Sequence, residues 1–184
     1  MGKAYWYSTN NGQFASSTYY FKEFPGWVSK WNEQKKADAY YEKHWKLSRP
    51  KSTYKNSFQD DRPYENPHDL GYGKVFPHPF GGKDNKYYYT LLMASPIVDE
   101  LTMDFVMALV QNEKLGQDSV SDYLAISLSG TDYVGHLFGP ASLESEENLL
   151  RLDRTLIAPT LALFLGTKLP SGSVGKPLTE AMSK

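Results

Sequence analysis

The chain has 184 residues, of which 40% are hydrophobic and 22% charged, and its formal net charge is −1. This length and composition predict one globular domain with a sizeable core, and the near-neutral charge favours neither nucleic acid nor an anionic membrane as a partner. No apolar run has membrane-spanning length, no secretory signal is visible at the N-terminus, and the absence of cysteine excludes disulfides and thiolate metal sites.

Residues 1–50 are rich in aromatic side chains and contain all 4 tryptophans. Ala4–Tyr7 and Phe14–Tyr20 are predicted to form a hairpin around the turn Asn10-Asn11-Gly12. Further on, Ala37–Trp45 is predicted as a short helix or turn. His44 lies among charged residues there and is expected at the surface.

A helix is predicted to begin at Pro25, which suits the first helical position, and to continue toward Asn32. Trp27 and Trp31 are four residues apart and therefore share one helix face. The two rings would either offer an aromatic surface to a substrate or pack this region onto its sheet. Packing is the favoured interpretation.

Residues 48–90 are rich in proline and glycine and show no sustained hydrophobic period. We therefore predict a long excursion that covers the active-site face and is ordered by its tyrosines. His68 and His78 are chemically able to bind a metal, but a structural or exposed role is favoured for both.

A helix start is clear at Ser95-Pro96, with the serine as N-cap and the proline at the first helical position. The apolar spacing predicts a well-buried helix as far as Leu115, ending at Gly116. This helix is assigned a packing role and no chemistry.

The stretch that follows, Ser121–Pro140, organises the rest of the chain. Its apolar segment Tyr123–Leu128 predicts a buried strand in the middle of a sheet. Gly130, Gly135 and Gly139 then predict a loop in which the backbone turns sharply.

That loop carries Asp132 and His136, just past the predicted strand end, where open α/β sheets place ligands. A carboxylate oxygen and a neutral ring nitrogen are good zinc ligands. The spacing alone is a weak signal. In the alternative interpretation, Asp132 caps a turn and His136 packs as a partly buried polar residue.

After the loop, Ser142 or Ser145 is predicted to cap a further helix with acidic residues in its first turn. Arg151 and Arg154 are expected to pair with carboxylates on the surface. The predicted apolar members of this helix are Leu149, Leu152, Leu156 and Leu161.

The segment TDYVGHLFGP, with Ser142-x-Glu144 and Arg151-Leu152-Asp153-Arg154 after it, resembles the metal-site segment of the alkaline phosphatase superfamily. The likeness is to the alkaline phosphatase and type I phosphodiesterase/nucleotide pyrophosphatase group, and it extends over residues 2–158. Further matching segments are Gly2–Tyr7, Ser17–Tyr20, Pro25–Asn32, Ser95-Pro96 and Glu113–Gly116.

The resemblance implies hydrolysis of phosphate esters by two zinc ions, with Asp132 and His136 as two ligands of one of them. It identifies no catalytic nucleophile, because the family's nucleophilic hydroxyl and phosphate-contacting residues lie upstream of the segment that Gly2–Tyr7 resembles. Ser16, Ser17 and Thr18 are hydroxyls in a strand-like context and are not assigned that role.

Near Pro159 the sequence departs from the family, whose second metal motif has no counterpart here. A truncated or frame-shifted gene product is one hypothesis for this departure. We expect a partial alkaline-phosphatase-like α/β sandwich, a sheet flanked by helices, over residues 1–165. The first part, residues 1–47, would contain the hairpin and short helices, and residues 48–90 would form the covering excursion. Residues 91–158 would contain a helix, a strand, the metal loop and a further helix. Residues 166–184 would form a flexible tail.

The expected function is that of a fragment of a zinc-dependent phosphoric ester hydrolase whose substrates are small-molecule phosphate esters, and the fragment is expected to be inactive alone. The alternative is a non-catalytic, aromatic-rich binding module for glycan or protein with a vestigial metal loop. In a third hypothesis, another chain supplies the missing segments. The resemblance implies a periplasmic or secreted location, and the sequence predicts no oligomeric state.

Overall fold

The structure is a computed structural model that describes residues 2–55, 60–67 and 70–154. The strands are β1 (Trp6–Tyr7), β2 (Phe14–Ala15), β3 (His44–Trp45) and β4 (His78–Pro79). The α-helices are α1 (Gly26–Glu33), α2 (Tyr88–Met93), α3 (Pro96–Asn112), α4 (Gly130–Phe138) and α5 (Leu143–Leu152). Across these ranges, no helix combines the length and apolar character needed to cross a membrane.

Strands β1 and β2 form the predicted antiparallel hairpin, with Trp6 opposite Ala15 and Tyr7 opposite Phe14. The returning strand is shorter than predicted, because Ser17–Tyr20 forms a turn. Gly12 lies in the connecting turn with φ of +68°, and a Cβ there would come within 2.5 Å of the Tyr89 ring. The turn therefore needs glycine both for its backbone conformation and for its closeness to the core.

Helix α1 packs its tryptophans into the core, as predicted. The Trp31 ring is buried, and its N–H donates to Asp104 Oδ2 at 2.8 Å. The Trp27 ring N–H donates to Glu113 Oε1 at 2.9 Å. Both rings thus lie against α3 or the residue that follows it, and they form no open aromatic surface. Pro25 precedes the helix instead of occupying its first position.

Helix α3 begins where the sequence predicts. The Ser95 side chain accepts a hydrogen bond from the Ile97 N–H at 3.2 Å, and Pro96 is the first helical residue. The regular helix ends at Asn112, three residues before the predicted end, and Gly116 then adopts a φ of +73°. The helix is well buried, as its apolar spacing indicates.

Phe105 of α3 is the centre of an aromatic cluster. Its ring stacks on Phe14, with centroids 4.2 Å apart and an interplanar angle of 7°. It also meets the edge of Tyr5 at 5.2 Å and of Trp31 at 5.3 Å. This cluster attaches the N-terminal hairpin and α1 to the longest helix.

The excursion 48–90 is irregular in its described parts, as predicted, and is anchored by buried tyrosines such as Tyr54 and Tyr72. Strand β4 pairs antiparallel with β3, with Trp45 opposite His78.

Residues Lys36–Tyr40 form a 3₁₀ turn, and His44 is exposed. The predictions for His68, Leu156, Leu161, Pro159 and the tail 166–184 concern positions outside the described residues.

The predicted buried strand Tyr123–Leu128 is wrong for this structure. The segment forms no regular secondary structure and belongs to neither described sheet, and Tyr123 is 92% exposed. A strand needs a neighbour to satisfy its backbone groups, and none of the described segments lies alongside as a paired strand. The apolar pattern of this segment is typical of a buried strand, but the described residues do not bury it.

We expect Phe105→Ala to destabilise the protein by about 3–5 kcal/mol, because a buried aromatic side chain is replaced by a cavity between the hairpin and α3. Urea unfolding followed by tryptophan fluorescence measures this. The control is Tyr19→Ala, which removes a 73% exposed ring and should change stability by less than about 0.5 kcal/mol. Equal effects of the two substitutions would contradict the central role of Phe105.

Candidate metal site

Helix α4 carries the predicted metal ligands, and its first residue is held by α3. The Gly130 N–H donates to Asp99 Oδ1 at 2.9 Å, and Asp99 is buried. A Cβ on Gly130 would lie 2.8 Å from Asp99 Oδ2 and 2.9 Å from Val98 Cγ1. Glycine therefore allows the close approach, and the carboxylate satisfies an N–H that has no partner within the helix.

Burial raises the pKa of the Asp99 carboxyl to about 6, and Glu100 adds to the shift, whereas the hydrogen bond from Gly130 opposes it. The other end of α4 is Gly139, with φ of +86°, where a Cβ would lie 2.6 Å from the Tyr64 ring. Both ends of the helix are thus fixed by contacts that require glycine.

Asp132 and His136 lie one helical turn apart on the exposed face of α4. Asp132 Oδ1 and His136 Nε2 are 3.5 Å apart, and the side chains are 72% and 75% exposed, respectively. The opposite face is buried through Val134 and Phe138. The predicted glycine loop is therefore wrong: the five residues from 132 to 136 are helical, and the i, i+4 spacing brings both donors to one face.

These two side chains fit part of a zinc site. A carboxylate oxygen and an imidazole nitrogen are suitable donors, and their 3.5 Å separation allows both to contact one ion. In the described part of the chain, no group of three or more His, Cys, Asp or Glu residues is arranged to hold a metal. Among the described residues, the pair therefore offers two donors and no third.

Helix α5 follows directly and buries a polar face. Ser142 is its N-cap, as one of the two predicted alternatives had it, and accepts from the Ser145 N–H at 3.0 Å. Glu144 and Glu147 are fully buried, whereas Leu149 is 52% exposed. The predicted apolar face is therefore wrong at Leu149, because the described inner face of α5 consists largely of carboxylate, amide and hydroxyl groups.

Glu144 is paired with His78, and both side chains are fully buried. His78 Nδ1 lies 3.1 Å from the Tyr72 carbonyl oxygen, and Nε2 lies 3.0 Å from Glu144 Oε1. A carbonyl oxygen only accepts, so Nδ1 carries a proton. The short Nε2–Oε1 contact needs a second proton, on either the ring or the carboxyl, and the buried pair is neutral overall.

Glu147 binds the beginning of the covering excursion. Its Oε2 accepts hydrogen bonds from the Tyr54 hydroxyl and, at 2.9 Å, from the Ser48 hydroxyl. Burial raises the pKa of the Tyr54 hydroxyl, and its hydrogen bond to Glu147 adds to the shift. The phenol therefore stays protonated at neutral pH and can donate.

Glu65 of the excursion is 3% exposed, and neither of its carboxylate oxygens has a hydrogen-bond partner in the described structure. Burial raises the pKa of this carboxyl to about 7, and the negative charge of Glu144 adds to the shift. The adjacent Asn66 N–H donates to the Leu137 carbonyl oxygen at 2.7 Å, so this part of the excursion is attached to α4.

Sequence reasoning missed the buried roles of Asp99, Glu144, Glu147 and Glu65. The signals were present for Asp99 and Glu144, which stand in the first turns of capped helices. They were interpreted as residues that complement the helix dipole. Arg151 was predicted to pair at the surface, and it does so with Glu100 of α3 at 2.6 Å, partly buried.

We expect Glu144→Ala to destabilise the protein by about 3–5 kcal/mol, because it leaves His78 buried without its partner. Glu144→Gln should retain most of the stability, since its amide N–H can donate to Nε2 of a neutral ring. Denaturant unfolding at pH 7 measures both. A glutamine variant as unstable as the alanine variant would contradict the proton arrangement described above.

We expect Glu65→Gln to stabilise the protein more as the pH rises. A folded-state pKa of about 7, above the ordinary value of 4.5, means that the favourable contribution of Glu65 is complete below about pH 4.5 and is lost as the pH rises through 7. The difference in Tm between variant and wild type should therefore grow between pH 4.5 and 8. Each kcal/mol corresponds to about 2–4 °C.

The control for this measurement is Glu33→Gln at the exposed end of α1, which should give the same Tm difference at every pH. A Glu65→Gln difference that is equally flat would contradict the raised pKa.

Comparison with known proteins identifies relatives of this chain. The chain is 42% identical over 153 residues to the alkaline phosphatase PhoV of Synechococcus elongatus, covering 83% of this chain and 28% of the relative. It is 39% identical over 155 residues to a protein of Myroides odoratus named calcium-transporting ATPase, with the same coverage of each chain.

The crystal structure of the wild-type alkaline phosphatase PafA superposes with a TM-score of 0.69 at 34% identity, covering 82% of this chain and 29% of PafA. PafA from Elizabethkingia meningoseptica is also 34% identical over 153 residues in sequence. The superposition confirms the predicted fold class, a partial alkaline-phosphatase-like α/β fold. The chain spans about 28% of the length of these curated relatives.

The family model for type I phosphodiesterase / nucleotide pyrophosphatase matches residues 2–158, the same range over which the sequence resembles that group. This match includes the hairpin, α3, the pair on α4 and the polar helix α5. The chain belongs to the type I phosphodiesterase / nucleotide pyrophosphatase family of phosphoric ester hydrolases and has alkaline phosphatases among its homologues.

Proposed function

We propose that this chain supplies two ligands, Asp132 and His136, to one zinc ion of a two-zinc phosphate-ester hydrolase. The observation that carries the proposal is their position: one helical turn apart, on the solvent-exposed face of a helix whose other face and both ends are fixed. Family membership supports the reaction class, and the alkaline phosphatase homologues support a small phosphate ester as substrate.

In this proposal the helix does the positioning. Asp132 would bind through a carboxylate oxygen and His136 through Nε2, the ring nitrogen that lies nearer the carboxylate. When bound, zinc would act as a Lewis acid that stabilises charge during displacement at phosphorus. The contact between Gly130 and Asp99 would keep the pair in place relative to the core.

By itself, the chain would have little or no phosphatase activity. Two donors are fewer than the three protein ligands of a typical catalytic zinc. The hydroxyls considered as nucleophiles are engaged locally: Ser16 donates to the Ala4 carbonyl oxygen at 2.6 Å, and Ser17 accepts from the Tyr19 N–H at 3.0 Å. Neither lies against a base in the described structure, as an activated nucleophile would.

By analogy with its family, the enzyme would be located in the periplasm or outside the cell. Monoester and diester substrates share the phosphoryl group that zinc would bind, so either class is compatible with this half-site. The aromatic-rich binding module is not favoured, because Trp27, Trp31 and Trp45 pack within or against the core.

We expect the purified chain to bind zinc weakly, with Kd near millimolar, since only two donors are preorganised. Calorimetric titration measures this, with Asp132→Ala/His136→Ala as the variant that abolishes binding. Tyr133→Phe, on the same helix, is the control and should bind as the wild type does. Zinc binding that persists in the double variant would contradict the assignment of the pair.

We expect no turnover of p-nitrophenyl phosphate above background by the chain alone, with or without added zinc. The reason is the half-complete metal site and the absence of an activated hydroxyl in the described residues. A spectrophotometric assay across pH 6–10 measures this. A robust zinc-dependent activity that Asp132→Ala removes would show that the chain is catalytically sufficient.

A further inference from the structure

Asp132 lies in the first turn of α4, where the helix has no cap of its own. Ser129 occupies the N-cap position, and its side chain makes no capping hydrogen bond. The helix has 9 residues, and a helix of this length is marginal unless tertiary contacts hold it. The order of its first turn therefore depends on contacts from other elements.

Two buried side chains supply such contacts, one from each neighbouring helix. Asp99 of α3 accepts from the Gly130 N–H at 2.9 Å. Asn148 of α5 donates from Nδ2 to Thr131 Oγ1, also at 2.9 Å, and this asparagine is 1% exposed. Gly130 and Thr131 are the two residues that precede Asp132. The first turn is thus held at consecutive positions immediately before the carboxylate.

The Asn148 amide is committed to this contact. In the described structure its side chain has one recorded hydrogen bond, the one to Thr131, and its buried Oδ1 atom has no partner. A buried amide without any hydrogen bond is costly, so the Thr131 hydroxyl fixes Asn148 as much as Asn148 fixes α4. The hydroxyl lies on the side of α4 that meets α5, whereas Asp132 and His136 are exposed.

The order of the first turn decides whether the two proposed zinc ligands form a pair. Asp132 Oδ1 lies 3.5 Å from His136 Nε2 because both residues belong to one helix at i, i+4 spacing. If the first turn frayed, the carboxylate would move away and the two donors would no longer meet. Groups that bind a ligand need to be held within about 0.5 Å of their productive positions by neighbouring contacts.

We propose that Asn148 is a positioning residue for Asp132, that it acts through Thr131, and that it shares this role with Asp99. The inference rests on the proposed function and deepens it, because it names side chains that keep the metal pair assembled. Asn148 would not contact zinc. It would hold the turn from which the carboxylate extends, as outer hydrogen-bonding residues do around metal ligands.

A matched pair of substitutions at position 131 tests the inference. Thr131→Val retains the branched shape and removes the hydroxyl, whereas Thr131→Ser retains the hydroxyl. The first readout needs no metal: it is the Cα chemical shift of Asp132, measured by NMR on the full chain. We expect a helical value in the wild type and in Thr131→Ser. In Thr131→Val and Asn148→Ala we expect a change toward the random-coil value.

The second readout is zinc affinity, followed through the ring proton signals of His136. The chain contains 4 histidines, so these signals can be assigned by their loss in His136→Ala. We expect the Kd for zinc to rise by at least about threefold in Thr131→Val and Asn148→Ala, in keeping with the loss of one hydrogen bond. Thr131→Ser should bind zinc as the wild type does.

Tyr88→Phe is the control for a general loss of stability. It removes a buried hydrogen bond on α2, from the Tyr88 hydroxyl to the Ala37 carbonyl oxygen at 2.6 Å. This variant should be less stable than the wild type and should keep its Kd for zinc. A Kd that rises equally in Tyr88→Phe would overturn the inference, because weaker binding would then follow from lower stability alone.

The two readouts separate this inference from the proposed zinc site. An Asp132 shift that stays helical in both Thr131→Val and Asn148→Ala would overturn the positioning role, whatever zinc does. An unchanged Kd in these two variants would overturn it as well. If zinc left the His136 signals of the wild type unchanged, the proposed function would fail, and the role of Asn148 toward zinc would fail with it.

Discussion

The buried face of α3 is the constraint on which the other elements depend. Phe105 receives the hairpin and α1 through stacked and edge-on rings, and Asp99 binds the first N–H of α4. On the same helix, Glu100 binds Arg151 of α5. The exposed pair Asp132/His136 lies on α4, whose first N–H is bound by Asp99, so α3 fixes the start of the helix that carries the pair.

Helix α5 differs from α3 because most of its buried side chains are polar. Its inner face presents carboxylates, and the covering excursion meets them with a histidine, a phenol and a serine hydroxyl. Directional hydrogen bonds accept fewer alternative arrangements than apolar surfaces do, because a misplaced partner leaves a buried polar group unsatisfied. The excursion is therefore attached in one register over α5, next to α4.

The features that were predicted from sequence are those whose causes are local. The cap at Ser95 and the proline beside it act within one turn. Helix α4, by contrast, was predicted as a loop because of its glycines, and the helical contact between Asp132 and His136 is a finding of the structure. The face of α5 could not be predicted, because the partners of Glu144 and Glu147 lie 66 and 93 residues away. The strand Tyr123–Leu128 was misjudged for a related reason: its pattern is local, but a strand exists only beside another strand.

The same exposed segment has a consequence for handling the protein. Six consecutive residues, YLAISL, combine strand-forming side chains with no charge and no proline, which is the composition of segments that stack into cross-β aggregates. Asp122 stands immediately before them, with its carboxylate accepting from the Gly116 N–H at 2.8 Å. A charged residue that flanks such a segment opposes its stacking into aggregates.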